Sequence, residues 1–183
     1  MSTKAKASIE DLYRLPDNRK AELVNGEIVL MAATGYLPSR AGLNIALSLR
    51  EYEWRTQSGH ACPDNTGFLV NLPHRESFSP DAAFHTGTPT GMKFLEGAPI
   101  FAVEVRSEGD YGPEAEAEMA SKRRDYFAAR TLIVWDVDLL GEEVVKVYRA
   151  AASDTPTIYR RGEIAEADPA LPGWSMPVDE LFA

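Results

Sequence analysis

The sequence predicts an α/β fold, a mixed β-sheet flanked by helices with an N-terminal hairpin and additional C-terminal strands. Three observations predict it. Residues 21–24 and 27–31 flank Asn25-Gly26, the dipeptide that best accommodates the two positive φ angles of a tight hairpin turn. Residues 100–106 alternate, with Phe101, Val103 and Val105 on one face and Ala102, Glu104 and Arg106 on the other, as in a strand lying between core and cleft. Around these strands the order helix, several strands, helix, strand calls for helices packed on a sheet.

The remaining elements follow from their local signals. Ser8 followed by Asp11 has the form of a capping box, and Ile9, Leu12 and Tyr13 continue at helical spacing, so a short helix runs to about Leu15 and stops at Pro16. Over residues 39–58, Leu43, Ala46, Leu47, Arg50 and Trp54 form one stripe, which predicts a long helix with that face buried and Gly59 at its left-handed terminus. Short strands are expected at 60–62, 67–71 and 78–84. Pro113 suits a first helical position, and Glu114, Glu116 and Glu118 complement the positive start of a helix reaching about Ala129. The apolar run 131–137 reads as a buried strand, 143–149 as a further alternating strand, Arg161-Gly162 as the turn of a last hairpin, and 179–182 as a short helix.

A chain of 183 residues with 44% hydrophobic residues suits one domain over 1–183, and no repeat, low-complexity tract or linker argues for a cut. Cys62 has no partner for a disulfide, which fits a reducing, cytoplasmic setting with the cysteine structural. Residues 1–8 lack the apolar stretch of a signal peptide, and no segment has the length and apolarity of a membrane span. Lys and Arg number 19 against 28 Asp and Glu, and the net charge of -9 disfavours indiscriminate adhesion to nucleic acid. Nucleic-acid binding is therefore expected to be weak and steeply salt-sensitive, carried by a few side chains such as Lys122, Arg123, Arg106 and Arg40.

Asp81 and Glu104 place two carboxylates on separate strands, where side-chain alternation can aim both into one cleft. Two hard oxygen ligands suit magnesium or manganese, which keeps several waters and takes further ligands from substrate phosphate. Ala115, Met119, Lys122 and Tyr126 fall on one stripe of the next helix, and a lysine inside an apolar stripe needs a partner that these carboxylates can supply. A lysine at the stripe's edge, snorkelling to water, is the plainer alternative. Asp64, beside Pro63, reads as a turn residue, and His60, His74 and His85 read as surface-loop residues. Asp136 and Asp138 read as strand-terminal hydrogen-bonding groups, and Trp54, Trp135 and Trp174 as core.

Six short motifs occur in order: residues 22–29 (Glu-Leu-Val-Asn-Gly-Glu-Ile-Val), 79–82 (Ser-Pro-Asp-Ala), 103–107 (Val-Glu-Val-Arg-Ser) with Asp110, 122–126 (Lys-Arg-Arg-Asp-Tyr), 135–138 (Trp-Asp-Val-Asp) and 171–174 (Leu-Pro-Gly-Trp). Together they resemble the Uma family of restriction endonucleases. The resemblance implies a restriction-endonuclease-like PD-(D/E)XK core in which Asp81 and Glu104 bind metal. The basic residue two positions after the glutamate is Arg106, whose pKa is too high for a general base, and the lysine looks relocated to Lys122. Glu22 and Glu27 resemble acidic positions of the family, and each is either an auxiliary metal ligand or merely a hairpin charge, Glu27 being favoured as the ligand. Many relatives carry a histidine near the start of the long helix; here residues 38–41 contain none, and Arg40 is a candidate substitute.

The function implied is an endonuclease dependent on Mg or Mn, acting on nucleic acid, most naturally DNA, with Lys122 or Arg106 stabilising the transition state and a homodimer left open. The main rival is a catalytically inactive module that binds nucleic acid or protein in the same cleft. A glycosidase pair of carboxylates comes third, because no aromatic sugar platform stands near them.

Overall fold

The computed structural model describes residues 6–16 and 19–183; most of the polar stretch 1–8 lies outside them. Helix α1 (Ile9–Tyr13) starts as the capping box predicts, the Ser8 backbone N–H donating to Asp11 Oδ2 at 2.8 Å. Strands β1 (Ala21–Val24) and β2 (Glu27–Leu30) pair with Val24 opposite Glu27, and Asn25 and Gly26 take φ of 54° and 73°. That is the expected two-residue turn.

Helix α2 (Tyr36–Thr56) differs from expectation in three ways. It begins before Pro38, which is tolerated in a first turn because those N–H groups have no intrahelical acceptor. Its left-handed terminus is Gln57 at φ 54°, and Gly59 serves close packing instead, since a Cβ there would lie 2.5 Å from the His85 carbonyl oxygen. The buried face is Ala41, Gly42, Ile45, Ala46, Leu49 and Tyr52, whereas Leu43, Leu47 and Trp54 are 47%, 56% and 68% exposed. The helix carries two apolar stripes. The one rich in small residues packs inward, where its backbone approaches the sheet closely.

The strands β3 (His60–Pro63), β4 (Phe68–Leu72), β5 (Arg75–Phe78), β6 (Ala82–His85), β7 (Leu95–Glu96) and β8 (Phe101–Val105) precede helix α3 (Pro113–Ala128). After it come β9 (Ile133–Val137), β10 (Val145–Arg149), β11 (Ala152–Tyr159), β12 (Ile164–Glu166), β13 (Ser175–Pro177) and a 3-10 helix, Val178–Phe182. They build a five-stranded sheet in the order β2-β1-β5-β4-β7, a six-stranded sheet in the order β11-β10-β9-β8-β6-β3, and the pair β12-β13. In the six-stranded sheet β8 and β9 run parallel, joined by α3, and every other pair is antiparallel.

Two expected elements are corrected. The run 78–84 is two strands in different sheets, because Pro80 cannot donate to a ladder and the chain crosses between sheets at Ser79, Pro80 and Asp81. No hairpin closes at Arg161-Gly162: β11 pairs with β10, and β12 pairs with β13. His85 and Trp54 are also exchanged relative to expectation, His85 being buried on β6 and Trp54 lying at the surface.

Phe101, Val103 and Val105 enter a core with α2, β9, β10 and the C-terminal segment, in which the Trp135 and Trp174 rings lie 5.1 Å apart. Ala102 packs on the opposite face with Phe78, Val134 and Tyr126 of α3. The helices thus cover both faces of the six-stranded sheet, and the alternation read from residues 100–106 is the physical division between them. Among the described residues no helix is long and apolar enough to cross a membrane.

Candidate metal centre

Asp81 stands where the chain passes from β5 to β6, one residue before the ladder with β8 begins. Its own N–H donates to the Val103 carbonyl at 3.0 Å, and its Oδ2 accepts the Val105 N–H at 2.7 Å. Both bonds tie the carboxylate to the strand that carries Glu104. Its Oδ1 accepts from Lys20 Nζ at 2.7 Å, and the same ammonium lies 2.7 Å from Asp64 Oδ1.

Glu104 projects from β8 toward α3, where its Oε1 accepts the Tyr126 hydroxyl at 2.6 Å and lies 2.9 Å from Lys122 Nζ. Lys122 and Tyr126 are one helical turn apart, so one face of α3 supplies both. The Lys122 ammonium is also 2.9 Å from Glu22 Oε1 on β1. Glu22 accepts the Ser79 N–H at 2.9 Å and pairs through Oε2 with Arg75 at 2.5 Å, and Arg75 reaches Asp125 Oδ2 at 2.8 Å. The Phe78 and Tyr126 rings stack at 4.0 Å beneath this chain of charges. The site therefore sits where the two large sheets meet, with α3 closing one side.

The protonation preferences follow from these contacts. Burial, reinforced by the charges of Asp81 and Glu22, holds Glu104 above the ordinary carboxylate range against the pull of Lys122. Burial alone would raise Glu22 too, but Lys122 and Arg75 carry it below that range. Burial opposes the charge on Lys122, yet Glu104 and Glu22 outweigh it and the ammonium is held more firmly than usual. Lys20 behaves alike, Asp81 overcoming the cost of burial.

Of the residues singled out in the sequence, Asp81, Glu104 and Lys122 are brought together. Arg106 is not with them: its guanidinium makes a two-armed pair with Asp136, both contacts at 2.8 Å, and binds Glu116, so it serves as an internal brace between β8, β9 and α3. Glu27 is exposed beside the hairpin turn, and its place in the cluster is taken by Glu22, which β1 turns into the inter-sheet space. Arg40 lies on the exposed side of α2 and donates to the Ala183 carbonyl at 2.8 Å. Asp138 is the strand-terminal hydrogen-bonding group expected, accepting the N–H groups of Leu140 and Gly141 at 2.9 and 3.0 Å.

Sequence reasoning missed Lys20 and Arg75, and treated Asp64 as turn chemistry alone. Asp64 does accept the Asn65 N–H at 2.7 Å, but it is also one ammonium away from Asp81. Only the inward-facing position of Arg75 in an alternating strand could have hinted at its role.

The residues fit a hard divalent cation. Among the described residues, the five carboxylates Glu22, Asp64, Asp81, Glu104 and Asp125 are paired with three permanent cations, Lys20, Arg75 and Lys122, and with the His74 ring at Asp125, leaving an excess of negative charge. Among the described residues no donor reaches Glu104 Oε2, and side-chain exposures of 18% for Asp81 and 21% for Glu104 leave both within reach of solvent. No three His, Cys, Asp or Glu side chains of the described residues converge as a complete ligand set. An ion bound by Asp81 and Glu104 would take its other ligands from water and substrate, the habit of magnesium.

No curated protein matches the chain. The crystal structure of "a putative nuclease belonging to DUF820" from Anabaena variabilis ATCC 29413 superposes with a TM-score of 0.74 at 14% identity, covering 96% of this chain and 97% of that one, which establishes a shared fold. A family model, Uma2, described as "Putative restriction endonuclease", matches residues 9–179. With nearly its whole length inside that match, the chain belongs to the Uma2 family of restriction-endonuclease-like proteins.

Proposed function

We propose that this protein is a divalent-metal-dependent endonuclease that hydrolyses phosphodiester bonds of nucleic acid, DNA being the favoured substrate. The observation that carries this reading is the convergence of Asp81 and Glu104 from neighbouring strands, with the Lys122 ammonium 2.9 Å from Glu104. Asp81 and Glu104 hold the ion, which supplies Lewis acidity toward a phosphoryl oxygen. Val105 N–H and Tyr126 O–H fix the two carboxylates from behind, so that they are oriented before substrate arrives. Lys122 balances the charge between Glu22 and Glu104 and offers positive potential where the phosphorane charge grows. Arg106 has no part in this, being occupied with Asp136 and Glu116.

The test is plasmid nicking with manganese or magnesium by the wild type and by Asp81→Asn, which keeps an oxygen for the Val105 N–H. Wild-type nicking that chelator abolishes, and that the variant lacks at unchanged melting temperature, supports the reading; equal rates in the two proteins would sink it. One observation favours the non-cleaving alternative, namely that both Asp81 oxygens already have partners in Lys20 and Val105. A wild type that retains bound duplex without ever nicking it would select that alternative.

A further inference from the structure

The Lys20 ammonium is 2.7 Å from Asp81 Oδ1 and 2.7 Å from Asp64 Oδ1. Its side chain is 15% exposed, Asp81 is 18% exposed and Asp64 is 53% exposed, so the lysine spans the distance from an inner carboxylate to an outer one. Lys20 also borders a cavity of about 460 Å³ shared with Arg19, Thr34, Asp64 and Asn65. The ammonium already touches both carboxylates, and Asp64 lines that cavity while Asp81 does not, so a small rotation about the flexible stem would carry the charge from Asp81 toward the cavity. One oxygen of Asp81 cannot be shared at full strength between an ammonium and a divalent cation, because the two positive charges would repel at contact distance.

We propose that Lys20 is a resident cation that holds Asp81 in the metal-free protein, yields it to the arriving divalent ion, and passes its ammonium to Asp64 and the adjoining cavity, where it meets a phosphate of the substrate strand. This rests on the metal reading of Asp81 and Glu104. It assigns Asp64 a task too: a second carboxylate that receives the displaced charge and keeps the exchange inexpensive. Arg19, on the same cavity wall, supplies a second positive charge for the same strand. The occupant of the cavity is thus an anionic backbone rather than a neutral ligand.

Manganese binding, measured by calorimetry on wild type, Lys20→Met, Asp64→Asn and the double variant, tests the exchange directly. Removing the competitor in Lys20→Met tightens manganese binding about fivefold, the worth of one partly exposed ion pair. Asp64→Asn weakens it while Lys20 is present, because the ammonium then has Asp81 alone, and leaves it unchanged in the Lys20→Met background. At saturating manganese Lys20→Met nicks more slowly in a single turnover, so binding and cleavage move in opposite directions, which a merely structural lysine would not produce. If Lys20→Met melts early, Lys20→Gln replaces it in the same cycle. Manganese binding in the wild type that Lys20→Met leaves unchanged or weakens overturns the exchange and spares the metal centre. Equal weakening by Asp64→Asn in both backgrounds makes Asp64 a ligand and also overturns it. Folded wild type and Lys20→Met that both fail to bind manganese remove the metal centre and the exchange together.

Discussion

Lys122 is held by carboxylates on both sides, at 2.9 Å from Glu22 and from Glu104, and this changes what its removal does. Lys122→Met leaves buried Glu22 and partly buried Glu104 without their shared cation, a loss below the roughly 3–5 kcal/mol of a fully buried pair. Glu22→Gln in the same chain recovers part of it by removing one of the stranded charges. Denaturant midpoints of the two variants check this, and a midpoint that Glu22→Gln fails to raise would mean that the loss of its pair with Arg75 outweighs the relief of the stranded charge. His85 offers a second test at this scale. Burial on β6 pushes its pKa below the ordinary value, so the neutral ring is favoured in the folded state. With the folded pKa depressed, the stability it allows is complete above the unfolded value of about 6.5 and is lost as pH falls from there toward the folded pKa. The drop in urea midpoint between pH 7.5 and 5.5 is therefore smaller in His85→Leu than in the wild type, and equal drops would refute the assignment. Asp81, Glu104 and Lys122 were legible because strand alternation and helical spacing aim them. Arg75 and Lys20 were not, and Glu22 was marked only by the family resemblance, since their ion-pair partners lie 44 to 100 residues away across a sheet boundary that no local period encodes.

Elements were legible where one short-range signal decides them. Asn25-Gly26 requires a turn, Ser8 and Asp11 start a helix, and Pro113 starts another, and each stands where expected. Helix α2 was harder because its sequence satisfies helical spacing on two faces. Spacing alone favoured the larger side chains, but the sheet is met by Ala41, Gly42 and Ala46, whose small size lets the helix come close enough for the Asp81 carbonyl to lie 3.4 Å from where a Gly42 Cβ would stand. A pair of substitutions compares a tryptophan of the sheet core with the one on the outward stripe of α2. Trp135, 1% exposed in the aromatic core, loses about 3–5 kcal/mol on change to Ala. Trp54, 68% exposed and capped by Arg50 at 5.2 Å, stays within about 0.5 kcal/mol of the wild type on the same change. Comparable losses in thermal melts would put Trp54 in a buried interface.

At the scale of the whole molecule, the decisive feature is the joint between the two large sheets, which the chain crosses at Ser79-Pro80-Asp81. Mixed α/β architecture was legible from the order of elements, but the division of strands between sheets was not, because residues 78–84 read as one strand until pairing separates them. The same joint decides how the protein meets nucleic acid. Four cations were expected to carry binding, yet Arg106 is occupied by Asp136 and Glu116, Lys122 by Glu22 and Glu104, and Arg123 packs 3.6 Å over the Tyr148 ring beside Asp136, while Arg40 turns to the C-terminal segment. Arg19 and Lys20 border the cavity beside the centre, and Asp81→Asn takes from Lys20 one of the two carboxylates that hold it, leaving Asp64. Because each neutralised phosphate releases condensed counterions, the slope of log K against log salt is about −0.9 per contact. Two contacts give a slope of about −2 on duplex DNA, shallower than four engaged cations would produce, and the net charge of -9 keeps the affinity itself low. This slope and the steeper one expected from the sequence are told apart by measurement. Fluorescence anisotropy on Asp81→Asn in chelator, between 50 and 200 mM salt, measures the protein's own contacts without cleavage or metal. A slope of −4 or steeper would require at least two further cations, such as Lys122, Arg106 or Arg123, to leave their carboxylates when nucleic acid binds, and with them a rearrangement of the joint.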